Sequence, residues 1–594
     1  MMEVSLMSSF DRMKQRALTL AVGVVCALAA WGSHTIRVNP VEGDATRALQ
    51  AAIDSAATFC GEPVEISLAP GDYHISRENS TRRIYYISNT ASTEENPDPT
   101  KHIGLLFKDL KNVTLEGNGA WIVTHGEMTP LVADSCVNIA FRNFTLTAAD
   151  PSVPEFKVEA VDSASMTVRV TAPSTYQIEN GNFNWVGEGW IFADGRRKTT
   201  YPEFAQVFYP DRNVTLRVDS PLAGRISAEE IEPGLIRFRF AKAPAVHVGE
   251  VYQMRHGIRS EACGFFNRSK DVSLTDITFH FLGNFGLVGQ YSENLAYDNI
   301  RCAPDSRLGR TDAGFADFVQ MSGCRGNVRI LNSYFEGAHD DPINIHGTHL
   351  KVMGNPAADR LIVRFMHGQT YGFLPFTEGD EVEVVDRHTL NCLQSATLKG
   401  VRAIDLYNYE LTLDRPVAAV PEGYSVEDLA VENVTWTPDV EIRNNWFARY
   451  PTRGILITTR GRSLIEGNTF FRSPMPAVLV SDDARGWYES GPVADLTIRN
   501  NRFIECASPV ICISPEIDRF NRPVHSNIVV EGNRFILTGL PAVQAVATDG
   551  LCIQGNVFDV SGLRQIDPEA LIQTDNVERL KVEGNRVLKT YPLK

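Results

Sequence analysis

The chain has 594 residues, 43% of them hydrophobic, and a formal net charge of −15. Such a length exceeds the size at which one compact core keeps growing, so several domains or a linear repeat are expected, and the apolar fraction excludes a largely disordered protein. The acidic balance argues against a nucleic-acid partner or an anionic membrane surface, both of which demand a basic footprint, and suits a neutral ligand such as a sugar.

In chain order, the first feature is a basic cluster (Arg12, Lys14, Arg16) ahead of an apolar run over residues 17–31, ALTLAVGVVCALAAW, with small residues at Ala27, Ala29, Ala30 and Gly32. That order predicts a signal peptide over residues 1–32 and an exported protein, periplasmic or extracellular. Gly23-Val24-Val25 before Cys26 is a poor lipoprotein signal, so lipid anchoring is the less favoured reading. No other stretch is apolar for long enough to predict a membrane span. Residues 33–154 are expected to hold a cap helix and the first strands of a repeat. Ala45, Ala48, Leu49, Ala52, Ile53 and Ala56 fall at helical spacing after Asp44, read as the N-cap, and Val64-Glu-Ile66-Ser-Leu68 alternates as a strand.

Residues 155–258 and 350–435 alternate as short strands between Pro and Gly turns, for example Thr215-Leu-Arg-Val218 and Tyr409-Glu-Leu-Thr-Leu413. They predict two small antiparallel β-barrels or sandwiches inserted into the repeat. The coils resume over 259–349 and again over 436–594, where the phrase apolar-x-x-Asn-x-apolar recurs with Asn445, Asn468, Asn501, Asn533, Asn556 and Asn585, successively 23, 33, 32, 23 and 29 residues apart. Each Asn is expected to take a left-handed turn after a short strand and to bond to its neighbours in stacked coils. Weaker copies occur at Asn118, Asn143 and Asn332. The fold class predicted is all-β, a right-handed parallel β-helix with two inserted β units; no single coil of such a solenoid can bury its apolar face alone. The nine cysteines beyond Cys26 show no zinc-like spacing and lie mostly in apolar strand contexts, which reads as buried free thiols, an oxidised pair being the alternative.

The densest group of chemically active side chains lies within residues 311–350, TDAGFADFVQMSGCRGNVRILNSYFEGAHDDPINIHGTHL. Asp317 precedes Asp340 by 23 residues and Asp341 by 24, one short coil, so the three carboxyls are expected side by side at the interstrand distance. A turn or bulge over 339–342 would aim Asp340 and Asp341 to one face, since consecutive strand residues otherwise diverge. Crowded carboxyls cannot all ionise at pH 7, and glycoside hydrolysis needs that split, one carboxyl protonated and one ionised. Asn344, His346 and His349 follow and are placed to orient a sugar, while Arg255, His256 and Arg259 are expected on the same face one or two coils earlier. Among Trp185, Trp190, Trp436, Trp446 and Trp487, at least one is expected exposed beside the pocket as a platform for a sugar's apolar face.

The segments GAHDDPINIHGT (337–348), DAGFADFVQMSGCRGNV (312–328) and RHGIR (255–259), with the plan of a β-helix carrying two β insertions, resemble glycoside hydrolase family 110 over essentially the whole mature chain. The resemblance implies an exo-acting, inverting α-1,3-galactosidase without metal or other cofactor, acting on terminal α-galactosyl glycans such as the blood-group B determinant. The layout is also similar to that of β-helix polygalacturonases; by that analogy Asp340 is the general acid, and Asp317 and Asp341 hold the attacking water. The rival readings are a polysaccharide lyase, which would need a basic residue at the centre of the cluster, a polygalacturonase-like hydrolase, and a non-catalytic glycan-binding β-helix. A homo-oligomer is compatible with the sequence.

Overall fold

A computed structural model describes residues 34–193, 204–417, 419–420, 422–564 and 567–589; residues 1–32, expected to be a signal peptide, lie outside the described residues. The body is a parallel β-helix in which each complete coil contributes three short strands. One coil runs through Asp439–Arg443, Trp446–Ala448 and Ile455–Ile457, the next through Ser463–Glu466, Thr469–Phe471 and Val478–Val480, with Ile442 level with Ile465, Phe447 with Phe470 and Ile455 with Val478.

The Asn phrase sets this geometry. The side-chain oxygen of Asn468 accepts from the backbone N–H (2.9 Å) and amide (3.0 Å) of Asn445, while the Asn468 amide donates to the Ile442 carbonyl at 2.8 Å. The same three bonds recur through Asn501, Asn533, Asn556 and Asn585. Most of these side chains are buried, so the ladder gives polar groups the partners that burial demands. The left-handed residue is not the ladder Asn, as the sequence suggested, but the one before it: Asn444, Gly467, Asn500, Gly532, Gly555 and Gly584 all have φ between 56° and 68°. This explains why that position is always Asn or Gly, the residues that tolerate the conformation. In the coil containing Asn332, Ser333 takes the ladder place, donating its N–H to Asn445 Oδ1 at 2.8 Å. Inside, Phe335, Phe447, Phe470, Phe503, Phe535 and Phe558 stack as a column with centroids 4.7–5.3 Å apart.

The helix Thr46–Ala56 buries Leu49, Ala52, Ile53 and Ala56 against the first coils. Its N-cap is Ala45, and Asp44 acts one residue earlier, accepting the Thr46 N–H at 2.7 Å. Between Glu155–Val161 and Val251–Arg255 the chain leaves the coils to form a seven-stranded antiparallel sheet with a separate three-stranded sheet, packed on a core that includes Phe156, Trp185 and Phe238. The second excursion, from Leu350–Ala357 to Leu429–Asn433, closes as a six-stranded barrel. The nine described cysteines are free thiols: five are buried, Cys392, Cys512 and Cys552 are half-buried, and Cys60 is exposed. No described helix is long and apolar enough to cross a membrane.

Candidate active site

Strand Val319–Ser322 lies level with Ile343–Thr348, Val319 opposite Ile343, and Ile343 is in turn opposite Ile455. Counting back two residues in each coil places Asp317, Asp341 and Arg453 at one equivalent position in three successive coils. The Phe318 N–H donates to the Asp341 carbonyl at 3.2 Å, fixing that register beside the carboxyls. Arg453 holds Asp341 from above through its backbone N–H (2.9 Å to Oδ1) and guanidinium (2.7 Å to Oδ2). Asp340 is met from a different direction by Arg217, on strand Val214–Val218 of the first inserted sheet, at 2.8 Å. Among the described residues no cation comes within ion-pairing distance of Asp317, which is buried.

These groups share a cavity of about 710 Å³ whose wall also includes Asn344, Arg259, Asn89, Asp482, Trp487 and Glu489. Glu489 lies opposite Thr348, and its carboxylate accepts from Asn344 Nδ2 (3.3 Å) and Asn89 Nδ2 (3.2 Å). Of the five tryptophans considered, Trp185 and Trp190 are buried in the first insertion, Trp436 packs against Tyr291, and Trp446 stacks between Tyr334 and Phe471. Trp487 is 48% exposed at the cavity rim and stacks on His367 at 4.2 Å. Asp483 holds that loop in shape by accepting the N–H groups of Arg485, Gly486, Trp487 and Tyr488.

The carboxyls differ sharply in charge. Burial, with Asp340 and Asp341 beside it, drives the Asp317 pKa well above the carboxylate range. Burial and the Asp340 charge, partly offset by Arg453, push Asp341 up to about 6. Burial also works to raise Asp340, but Arg217, Arg453, Arg259 and Arg255 outweigh it and hold that pKa below its ordinary value. The surroundings thus favour the neutral form of Asp317 and the charged form of Asp340, while the roles of acid and base belong to the proposal below.

Other residues singled out in the sequence lie elsewhere. Arg255 is buried beneath the cavity between the rings of Phe204 and Phe315, near enough to act on Asp340 only through its field. His256 turns away after the same strand and contacts Glu127 at 3.1 Å. Gly257 follows at φ +82°, and only Arg259 of this segment returns to the cavity wall, held by Gln369. His346 sits behind the wall, bonded to the Gly347 carbonyl at 2.7 Å and 3.5 Å from Glu489. His349 is buried and paired with Asp482 at 2.9 Å, an attraction that raises its pKa against the opposing effect of burial. Arg217, Arg453 and Glu489 were not recognised from sequence. The cluster therefore does have basic residues at its centre, but Arg217 and Arg453 are bonded to carboxylates, and although burial favours its neutral form the charges of Asp341 and Asp340 raise Arg453 further. Neither is available as the base of a lyase.

Carboxyls held in unlike surroundings and facing a single polar cavity with an aromatic rim on a β-helix are the arrangement that glycoside hydrolysis requires. Residues 360–429 match the family model described as GLAA-B beta-barrel domain II. The chain is 42% identical over 557 residues to Alpha-1,3-galactosidase A of Bacteroides thetaiotaomicron, covering 93% of this chain and 96% of that protein. It is 37% identical to Alpha-1,3-galactosidase A of Bacteroides fragilis (strain YCH46), over 86% of this chain and 84% of that protein, and 30% identical to Alpha-1,3-galactosidase B of B. thetaiotaomicron, over 86% and 82%. The chain belongs to the α-1,3-galactosidases of glycoside hydrolase family 110.

Proposed function

We propose that this enzyme hydrolyses terminal α-1,3-linked galactose from glycans such as the blood-group B determinant, with inversion at the anomeric carbon. The observation that carries the reading is the convergence of three carboxyls, two of them held by arginines and one not, in one cavity of a family member. Galactose would lie on Trp487, its hydroxyls within reach of the Asn344–Glu489–Asn89 group. Asp317 gives its proton to the glycosidic oxygen as the bond to the anomeric carbon breaks. A water attacks that carbon from the opposite face and loses its proton to Asp340, so one water is divided between the two products. Asp341, anchored by Arg453, holds the water or the sugar.

The test is incubation with branched blood-group B trisaccharide and with linear α-1,3-galactobiose, following the released sugar by NMR. β-Galactose as the first product is expected; α-galactose first would refute inversion, and no release from either glycan would refute the activity. An unsaturated, ultraviolet-absorbing product would establish a lyase instead. We also propose export after removal of residues 1–32, on the order of the basic and apolar segments; an intact N-terminus on protein recovered from the periplasm or medium would refute it.

A further inference from the structure

A second groove, of about 590 Å³, opens on the first coils and shares no wall residue with the catalytic cavity. Strand Thr81–Ile84 pairs antiparallel with Thr100–Lys108, which sets Arg82 opposite His102 and Arg83 opposite Lys101. Basic residues therefore face basic residues across the pair, an arrangement that costs stability unless something offsets the charge. Lys101 is buried and gives its Nζ to the Ser260 carbonyl at 2.6 Å. Arg82 and Arg83 are exposed, and among the described residues neither has an ion-pair partner. Arg77 lines the same groove, donating to the Glu127 carbonyl and reaching Glu261 at 3.4 Å. His102 is 8% exposed, and the buried Glu261 carboxylate accepts both its backbone N–H at 3.1 Å and its Nδ1–H at 3.2 Å. The ring is thereby fixed, and its Nε2 has no hydrogen-bond partner among the described residues. Asp98, Thr100 and Ile84 complete the wall; Asp98 takes the Thr100 N–H at 2.9 Å, and Ile84 is 61% exposed.

We propose that this groove is a second carbohydrate site, which binds an acidic sugar through its carboxylate or sulfate ester. The guanidinium groups of Arg82 and Arg83 supply paired donors for the anion. His102 Nε2 accepts a hydroxyl of the same sugar in the neutral ring or donates to the anion in the charged one, and Ile84 offers the ring an apolar contact. Arginines on a solenoid surface are ordinarily solvated, but a buried imidazole, fixed by a buried carboxylate and left with one unbonded nitrogen in the groove, is a polar group that asks for a ligand. Neutral galactose has no use for such a concentration of basic residues, and on a chain of net charge −15 it stands out as a local anion-attracting surface. The volume lies in the ordinary range of small-ligand pockets. Register runs from Leu105 through Leu131, Gly264, Leu287 and Val319 to Ile343, five interstrand steps or about 24 Å, so the groove lies on the sheet that carries the active site but well outside its cavity. On a glycoside hydrolase the natural source of the anion is a glycan.

The test is isothermal titration calorimetry of the full chain with glucuronic acid and with glucose 6-sulfate, in added galactose to compete for the catalytic cavity, with glucose and inorganic sulfate as controls. At least one acidic sugar is expected to bind about tenfold more tightly than either control, the order of one charge-assisted hydrogen bond, and added salt should weaken it. The better of the two tells a carboxylate from a sulfate ester. The double variant Arg82→Gln, Arg83→Gln lies on an exposed strand; it should lose that advantage while releasing galactose from α-1,3-galactobiose at the wild-type rate. His102→Gln, which keeps a donor for Glu261, should weaken binding as well. Inorganic sulfate bound as tightly as either acidic sugar would overturn the carbohydrate assignment. No binding, or binding unmoved by the double variant, would overturn the site itself, and loss of galactose release along with binding would overturn its separateness from the catalytic cavity. Binding is read in the titration and galactose release in the assay, so this proposal and the galactosidase reading fail separately.

Discussion

At the scale of single residues, the three carboxyls are distinguished by what each touches. Asp341 and Asp340 each have a guanidinium, whereas Asp317 has none. Asp317→Asn, Asp340→Asn and Asp341→Asn should each lower turnover by about 10²-fold or more, since an amide can neither give nor take the proton. With a nitrophenyl galactoside, whose leaving group needs little protonation, Asp317→Asn should recover most of its rate and Asp340→Asn should not. Recovery of Asp340→Asn instead would restore the order implied by the polygalacturonase analogy. Trp487→Ala should raise KM about tenfold with little change in kcat, as expected for loss of one aromatic contact to a sugar face; an unchanged KM would remove Trp487 from the binding site. The aspartates were legible in the sequence because their 24-residue offset is one coil, and one coil is one step of register. Arg217 and Arg453 were not, because each meets its carboxylate across more than a hundred residues of intervening chain. Thr215-Leu-Arg-Val218 carries only a strand signal, and nothing local says where its arginine will arrive.

At the scale of the element, the Asn ladder explains why the C-terminal coils could be read in the sequence so directly. A buried side chain that bonds to its copies above and below has to recur at the same point of every coil, and so it appears as a phrase. The two positions of that phrase nevertheless carry different constraints. Asn501→Ala would strip the Asn468 N–H and amide of their acceptor and the Ile465 carbonyl of its donor. At ~1–3 kcal/mol for each buried group left unpaired, it should markedly destabilise the fold. Asn444→Gly should be nearly neutral, because the left-handed position is already Gly in four of the six coils. Urea unfolding monitored by circular dichroism compares the two, and equal losses would contradict the division of labour. The coil ahead of Asn445 has Ser333 in place of the Asn; its hydroxyl accepts the Ile300 N–H of the coil before it, and the repeat signal there is correspondingly weaker.

At the scale of the molecule, the insertions are joined to the solenoid by polar bonds as well as by chain continuity. Arg310 is buried with Glu155 of the first insertion at 3.1 Å and with Asp312 on the loop leading to Asp317. Burial and the Glu155 charge push Asp312 well up, and Arg310, standing between the two carboxyls, opposes them. Arg310→Met should cost ~3–5 kcal/mol, the usual penalty for leaving buried charges without a partner, and calorimetry should show it as a lowered Tm; an unchanged Tm would mean the cluster is already neutral without it. The alternation of residues 155–258 and 350–435 announced β structure in the sequence, yet only the second segment closes as a barrel among the described strands, since closure depends on long-range pairing that period-two patterning leaves open. That barrel enters and leaves the solenoid through neighbouring strands, Leu350 opposite Val431, while Val328 remains level with Val440 across the interruption. It is a detour whose two ends touch. A short tether in its place would keep the register of the coil, although Tyr291 and Ala484 of the solenoid would lose the barrel residues they pack against. What such an excision would remove is the support behind the sugar's seat, because His367 and Gln369, which brace Trp487 and Arg259, belong to the detour. An architecture with joints of this kind can exchange the surroundings of its chemistry as whole cassettes while the aspartates keep their places in the stack.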